Sequence, residues 1–285
     1  MSRITSAKAG DVRLNNLMRR RDASTAVARE RLSSGAKINR ASDDAAGLAM
    51  SVSLNHRNQA YASARVNAHE ALSYLQTKEA FMGPLVEMYD RMRELAVRSS
   101  SESVDDSERL AMSVELAQIK ESFDETLEQT FNTHRLFGNY TGALTNSDSG
   151  DMSFQVGIDA DKFASVNTVT LKADTLKKSW SINKNRFRVD SKQNAQDSLT
   201  LISKGLARVN VERSLVGATH NRMNVALNNI DTTIENGIAS ESLIRDADFA
   251  EETSRLTRLD IMSQATVALV SQVNDVRKMA LQLLK

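Results

Sequence analysis

The chain has 285 residues, 37 Lys and Arg against 36 Asp and Glu, a formal charge of +1 and no cysteine. Balanced charge excludes a general attraction to nucleic acid or to an anionic membrane and permits self-association. The missing thiols exclude disulfide frameworks, thiolate zinc sites and cysteine nucleophiles. Apolar residues make up 41% but aromatic ones only 5%, with one proline, a composition suited to long helices rather than to a thick globular core.

Helical patterning begins over residues 11–32, where Leu14, Leu17, Met18 and Val27 stand among many charges. So thin an apolar face predicts a helix weakly ordered by itself. Arg3, Lys8, Arg13 and the run Arg19, Arg20 and Arg21 interrupt any apolar signal-peptide core. A second, longer helix carries Ala68, Ala71, Leu75, Lys78, Met82, Leu85, Tyr89, Met92 and Ala96 in steps of three and four. This is a heptad seam with Lys78 as its polar member. Gly83 and Pro84 interrupt it and predict a kink near 80–82.

Serines at 99–101 and 103, with Asp105 and Asp106, mark a turn and a cap for a third helix. There Met112, Leu116, Ile119, Phe123, Thr126 and Thr130 repeat the seam, and the short connection predicts an antiparallel helical hairpin. Over 138–190 the helical period stops. Met152, Phe154, Val156 and Ile158 alternate with polar residues or glycine, a strand pattern that Val169 and Leu171 would pair with as a hairpin.

The seam then returns through Ala195, Leu199, Ile202, Leu206, Val209, Arg213, Val216, His220, Met223, Leu227, Ile230 and Ile234. Its length requires partners along a whole side, and the two earlier seams supply them. After a polar break at 240–248, the last helix has apolar residues all round: Leu256, Leu259, Ile261, Met262, Ala265, Val267, Leu269, Val270, Val273, Val276, Leu283 and Leu284. Such a helix is buried on every side, and in a thin chain neighbouring subunits must supply that burial. Its uncharged stretch, 261–274, is too short to span a membrane.

The expected fold is therefore mainly α: a long antiparallel helical bundle or coiled-coil rod (41–137 and 191–244), a terminal helical pair (1–40 and 245–285), and a small β-containing insertion (138–190). The rod seam comprises Leu75, Met82, Leu85, Met92, Leu116, Ile119, Phe123, Leu199, Ile202, Leu206, Val209, Leu227, Ile230 and Ile234. The termini would assemble through Leu14, Leu17, Val27, Leu256, Leu259, Leu269, Val270, Val273, Leu283 and Leu284. Head-to-tail contacts that fail to close into a ring generate a helical filament.

Two blocks carry a family resemblance. Residues 31–54, RLSSGAKINRASDDAAGLAMSVSL, resemble the N-terminal signature of bacterial flagellins, and 217–272, with RDADFAEETSRLT at its centre, resembles their C-terminal block. The resemblance implies an extracellular filament subunit for motility, exported through the flagellum's own channel without a cleaved signal. It implies homopolymer contacts, a flagellar export chaperone, filament cap proteins and hook-filament junction proteins. YDRMRELAVR at 89–98 resembles the flagellin patch bound by Toll-like receptor 5, which makes Arg91, Arg93, Glu94, Leu95 and Glu121 the candidate receptor contacts. Rivals are a hook-filament junction protein, which shares the rod and terminal pair, and a cytosolic coiled-coil adaptor.

Sites for chemistry are scarce. Asp43 with Asp44, and Asp246 with Asp248, precede apolar periodic runs with no His or Cys nearby in sequence, which reads as helix capping rather than metal binding. The four histidines show no paired-ligand spacing. Arg19, Arg20 and Arg21, with Arg13, Arg29 and Arg31, lack interleaved aromatics and read as a solvated face or as partners of Glu251, Glu252 or Asp260, not as a nucleic-acid site. Asn139, in an Asn-Tyr-Thr sequon, is a candidate glycosylation site. No catalytic residue, cofactor or metal is expected, and the chain reads as no enzyme.

Overall fold

The computed structural model describes residues 2–132, 134–138, 152–158, 168–171 and 176–282. In chain order it runs α1 (Ser2–Ser34), α2 (Ala45–Ser99), α3 (Asp106–Leu127), β1 (Thr130–Phe131), β2 (His134–Arg135), β3 (Met152–Gln155) and β4 (Thr168–Leu171). Then follow α4 (Leu176–Asn183), a 3-10 turn (Lys184–Arg186), α5 (Lys192–Arg245) and α6 (Phe249–Gln282). This is the expected mainly helical fold with a small β-containing insertion. The elements fall into two compact units, Gln59–Ile234 and Met1–Asn58 with Glu235–Lys285.

Gln59–Ile234, the inner unit in chain order only, is built on the seams. Leu75, Met82, Leu85 and Met92 of α2, Leu116 and Phe123 of α3, and Ile202 and Val209 of α5 share one buried cluster, with Ile119, Leu199 and Leu206 half-buried against it. A second cluster joins Ala64, Ala68 and Ala71 to Met223, Leu227 and Ile230, with Ile234 at its edge. Alternating steps of three and four keep these side chains on one face of each helix, so each helix buries a stripe and leaves its charges in water. Lys78 obeys the same register. It is only 1% exposed, and its Nζ lies 5.7 Å from the Phe137 ring centroid, a cation–π distance. Gly205 lets α5 pass Tyr89, because a Cβ there would stand 2.6 Å from the Tyr89 ring.

At the α2–α3 turn, Arg109 is buried and donates to the carbonyls of Ser99, Ser101 (2.8 Å) and Val104 (3.3 Å). It thereby satisfies acceptors left over at a helix end. Asp105 occupies the cap position of α3, but its carboxylate accepts from the Ser107 hydroxyl at 2.8 Å instead of from the helix backbone.

Three expectations change. Residues 138–190 contain a helix, α4, as well as the hairpin. The buried Trp180 ring stacks on Phe123 (centroids 4.0 Å apart) and Phe187 (5.2 Å), and its indole N–H donates to Asp124 Oδ1 at 2.7 Å. Eight residues with Leu176 and Trp180 as their buried members carry too little period to read. The seam of α3 ends at Leu127, and Thr130 pairs in β1 instead. α2 is helical on both sides of Pro84, as its seam predicts; Pro84 and Ala80 are exposed, so water can satisfy the carbonyl that proline releases. The polar break before α6 spans only 246–248, since α5 runs on to Arg245.

The hairpin pairs Phe154 with Val169 and Met152 with Leu171 in antiparallel register. It is tied to α2 by the Asn67 side-chain amide, which donates to the Gln155 carbonyl at 3.2 Å.

The paired terminal helices as a candidate assembly surface

The terminal unit starts from turn chemistry. Gly35 ends α1 at φ +70°, the left-handed conformation that glycine adopts without strain. The chain then meets the end of α5 in an isolated antiparallel bridge, Ala36 to Asp246. Lys37 N donates to the Arg245 carbonyl at 2.6 Å, and Ala247 N to the Gly35 carbonyl at 2.9 Å. This clasp brings the starts of α2 and α6 to one place.

One acid of each pair caps a helix there. Asp44 Oδ1 accepts from Gly47 N at 3.0 Å, and Asp248 Oδ1 from Ala250 N at 2.8 Å and Glu251 N at 3.2 Å. Asp43 Oδ2 accepts from Arg40 N at 3.0 Å and Asn39 N at 3.2 Å. Those backbone donors, Arg40 first, hold the Asp43 carboxyl below its usual range. Among the described residues no group of three His, Cys, Asp or Glu is placed to hold a metal ion. His220 shares a hydrogen bond of 3.2 Å with the Asn224 amide.

α1 and α6 then lie side by side, close enough for Cα atoms to approach within 8 Å. Small residues permit this: Ala28 of α1 and Thr266 of α6 are buried at the contact. The ties between the helices are polar. Arg31 pairs with Glu252 at 2.9 Å, with Glu252 only 7% exposed, while Arg31 Nε and Glu252 Oε2 have no hydrogen-bond partner. Arg29 pairs with Asp260 at 3.6 Å in the open. Arg21 donates to the Met262 carbonyl at 2.9 Å and to the Thr266 hydroxyl. Arg21, Arg29 and Arg31 therefore meet α6.

The predicted assembly residues divide into two sets. Val27, Leu256, Leu259 and Val270 are half-buried, whereas Leu17, Leu269 and Val273 are exposed. The Leu14 side chain lies outside those described, and Leu283, Leu284 and Asn139 lie outside the described residues. Flanking the Glu252–Thr266 line of α6, Ile261, Met262, Leu269, Val273, Val276 and Met279 form an exposed apolar band. Of this band, sequence reading missed Met279. Its spacing from Leu269 was the available signal.

On the inner unit the candidate receptor residues separate. Arg91 is exposed and ties to Glu94 at 2.8 Å and Glu115 at 2.6 Å, while Arg93 pairs with Asp90 at 3.1 Å. Leu95 is buried in the core, a correction to its expected place in a surface patch, because it follows Met92 by three residues on the seam face. Glu121 is exposed, but Glu115 is the α3 acid that Arg91 reaches.

The bacterial flagellin N-terminal helical region matches residues 8–141, and the bacterial flagellin C-terminal helical region matches 199–284. A flagellin of Halalkalibacterium halodurans is 32% identical over 262 residues, covering 90% of this chain and 91% of that one. The chain belongs to the bacterial flagellin family. A flagellar filament 31.3 kDa core protein of Treponema maltophilum is 31% identical over 259 residues, covering 90% of this chain and 91% of that one. A structure described as a flagellar hook-associated protein from Vibrio parahaemolyticus aligns with a TM-score of 0.57 at 16% identity. It covers 71% of this chain and 99% of that one, a likeness of fold alone. Flagellins are structural proteins, and this flagellin-family chain is no enzyme. The segment between the two matched regions holds the β3–β4 hairpin and α4.

Proposed function

We propose that this chain is a subunit of the extracellular flagellar filament and that it polymerises through α1 and α6. The observation that carries the reading is the terminal unit itself. Its described buried apolar side chains are Ala28, Ala36 and Ile38, while the α6 band stands in solvent. A helix pair held mainly by ion pairs and small contacts is marginal alone, and covering that band with copies of itself would stabilise it. Burying about five such side chains contributes on the order of 5–10 kcal/mol, set against the ordering and association costs of assembly.

In this reading 1–40 and 245–285 form the inner polymerising pair, 41–137 and 191–244 the rod around it, and 138–190 the outward segment. The ends order on addition to a growing tip. Export proceeds through the flagellar channel without a cleaved signal, with a helical chaperone on the C-terminal band and with cap and hook-filament junction proteins at the filament ends. Recognition by Toll-like receptor 5 would rest on Arg91, Arg93, Glu94 and Glu121.

The test is electron microscopy of the purified chain seeded with short filament fragments, with and without residues 1–40 and 245–285. Filaments from the full chain alone are expected. A full chain that stays monomeric on seeds would overturn the reading.

A further inference from the structure

The methionines divide by location. Met82, Met92 and Met223 are wholly buried in the inner unit and Met112 nearly so, Met18, Met88 and Met152 are half-buried, and Met50, Met262 and Met279 are exposed, all three in the terminal unit. Two of the exposed three belong to the α6 band. Met262 follows Ile261 at its start and Met279 ends it, with Leu269, Val273 and Val276 between them. Steps of three and four connect Met262 through Ala265 to Leu269, and Val276 to Met279, on one side of the helix. The thioethers are thus the oxidisable atoms of an otherwise inert aliphatic surface, because the chain has no cysteine.

We propose that Met262 and Met279 are oxidation sites through which a two-electron oxidant such as hydrogen peroxide blocks assembly of the free subunit. The inference rests on the polymerisation reading above. The thioether sulfur attacks one peroxide oxygen and the O–O bond breaks. An S–O bond forms, and the second oxygen leaves as water after proton transfer. The sulfur loses two electrons and the peroxide gains them. The product sulfoxide is polar and carries a strong acceptor where an aliphatic contact is needed. An acceptor buried without a donor raises the free subunit concentration needed for growth by about ten- to a hundredfold. In the filament the same two thioethers are covered, so oxidation acts on subunits before addition rather than on the finished polymer.

The experiment uses the full chain. Monomer and filaments are treated with hydrogen peroxide, the sulfoxides located by peptide mass spectrometry, and seeded growth measured by light scattering. Sulfoxide at Met262 and Met279 is expected in the monomer but not in the filament, with Met82, Met92 and Met223 unmodified in both. Treated monomer should grow at least tenfold more slowly, and methionine sulfoxide reductases should restore the rate. M262L/M279L, which keeps bulk and apolarity, should grow like the unmodified chain and stay unaffected by peroxide. Treated monomer growing at the untreated rate overturns the proposal, and so does a double variant that remains peroxide-sensitive, which would move the effect to Met50 or elsewhere. Untreated monomer that fails to grow on seeds instead overturns the underlying polymerisation reading.

Discussion

The two units of this chain are made of the same kind of helix and differ in what the helices bury. In the inner unit Leu75, Met82, Leu85, Phe123, Ile202 and Met223 are at most 2% exposed. In the terminal unit the tie between helices is Arg31 with Glu252, and aliphatic side chains of comparable size face water. One unit is a finished core and the other an unfinished interface. A subunit that must add to a polymer needs both: a part that folds before contact, and a part whose apolar surface is still available.

The difference can be broken from either side. The largest effect on the free chain is expected from Leu85→Ala, which removes a fully buried side chain from the core and should lower stability by about 2–5 kcal/mol. Calorimetry should show the main transition moving down in temperature, with the terminal helices largely indifferent. Glu252→Ala leaves the Arg31 guanidinium half-covered and unpaired and should weaken the terminal pair by about 2 kcal/mol. Hydrogen exchange should accelerate in α1 and α6 and stay slow in α3. An equal acceleration in α3 would show that the two units do not unfold independently.

Acid supplies a milder version. Asp43 is held below its usual range first by the Arg40 backbone N–H, Asp190 by the Asn194 amide and Glu102 by Lys192. Each depressed value means that the unfolded chain binds the proton more readily. Their stabilisation is therefore complete above the ordinary carboxylate range and is lost as pH falls through the lowered folded values. A circular-dichroism melt taken stepwise below about pH 4.5 should show declining stability of both units, with no change between pH 6 and 8 from these groups. Leu269→Asp should have the smallest effect on the monomer, within about 0.5 kcal/mol, because an exposed side chain loses no contact. It should nevertheless abolish seeded growth, and a variant that still grows would remove Leu269 from the assembly surface.

Much of the helical fold was legible because periodicity is a local property. Leu75, Met82, Leu85, Met92, Ile202, Val209 and Leu227 can be placed on a buried face by counting threes and fours, and Asp44 and Asp248 by the runs they precede. What counting could not supply was the partner across the gap. Glu115 and Glu121 lie near one another on α3, and only the packing of α3 on α2 puts Glu115 against Arg91. Leu95 lies inside a motif otherwise made of surface residues, and it is buried because the seam of α2 takes precedence over the motif.

By itself the sequence determined that this protein is built of long helices, that its termini carry more apolar surface than a thin chain can cover, and that it belongs with the flagellins. Those are consequences of composition, period and motif, all of them properties of neighbouring residues. Only the tertiary structure decided that Trp180 of a short helix fills the space beside Phe123, that Gly35 and Ala36 meet Arg245, Asp246 and Ala247, and that Glu252 and Thr266 of α6 are spent on α1 while Leu269, Val276 and Met279 stay open. The physical reason is separation along the chain. These contacts join residues from about 60 to more than 200 positions apart, and no local preference encodes which distant surface will be there to receive them.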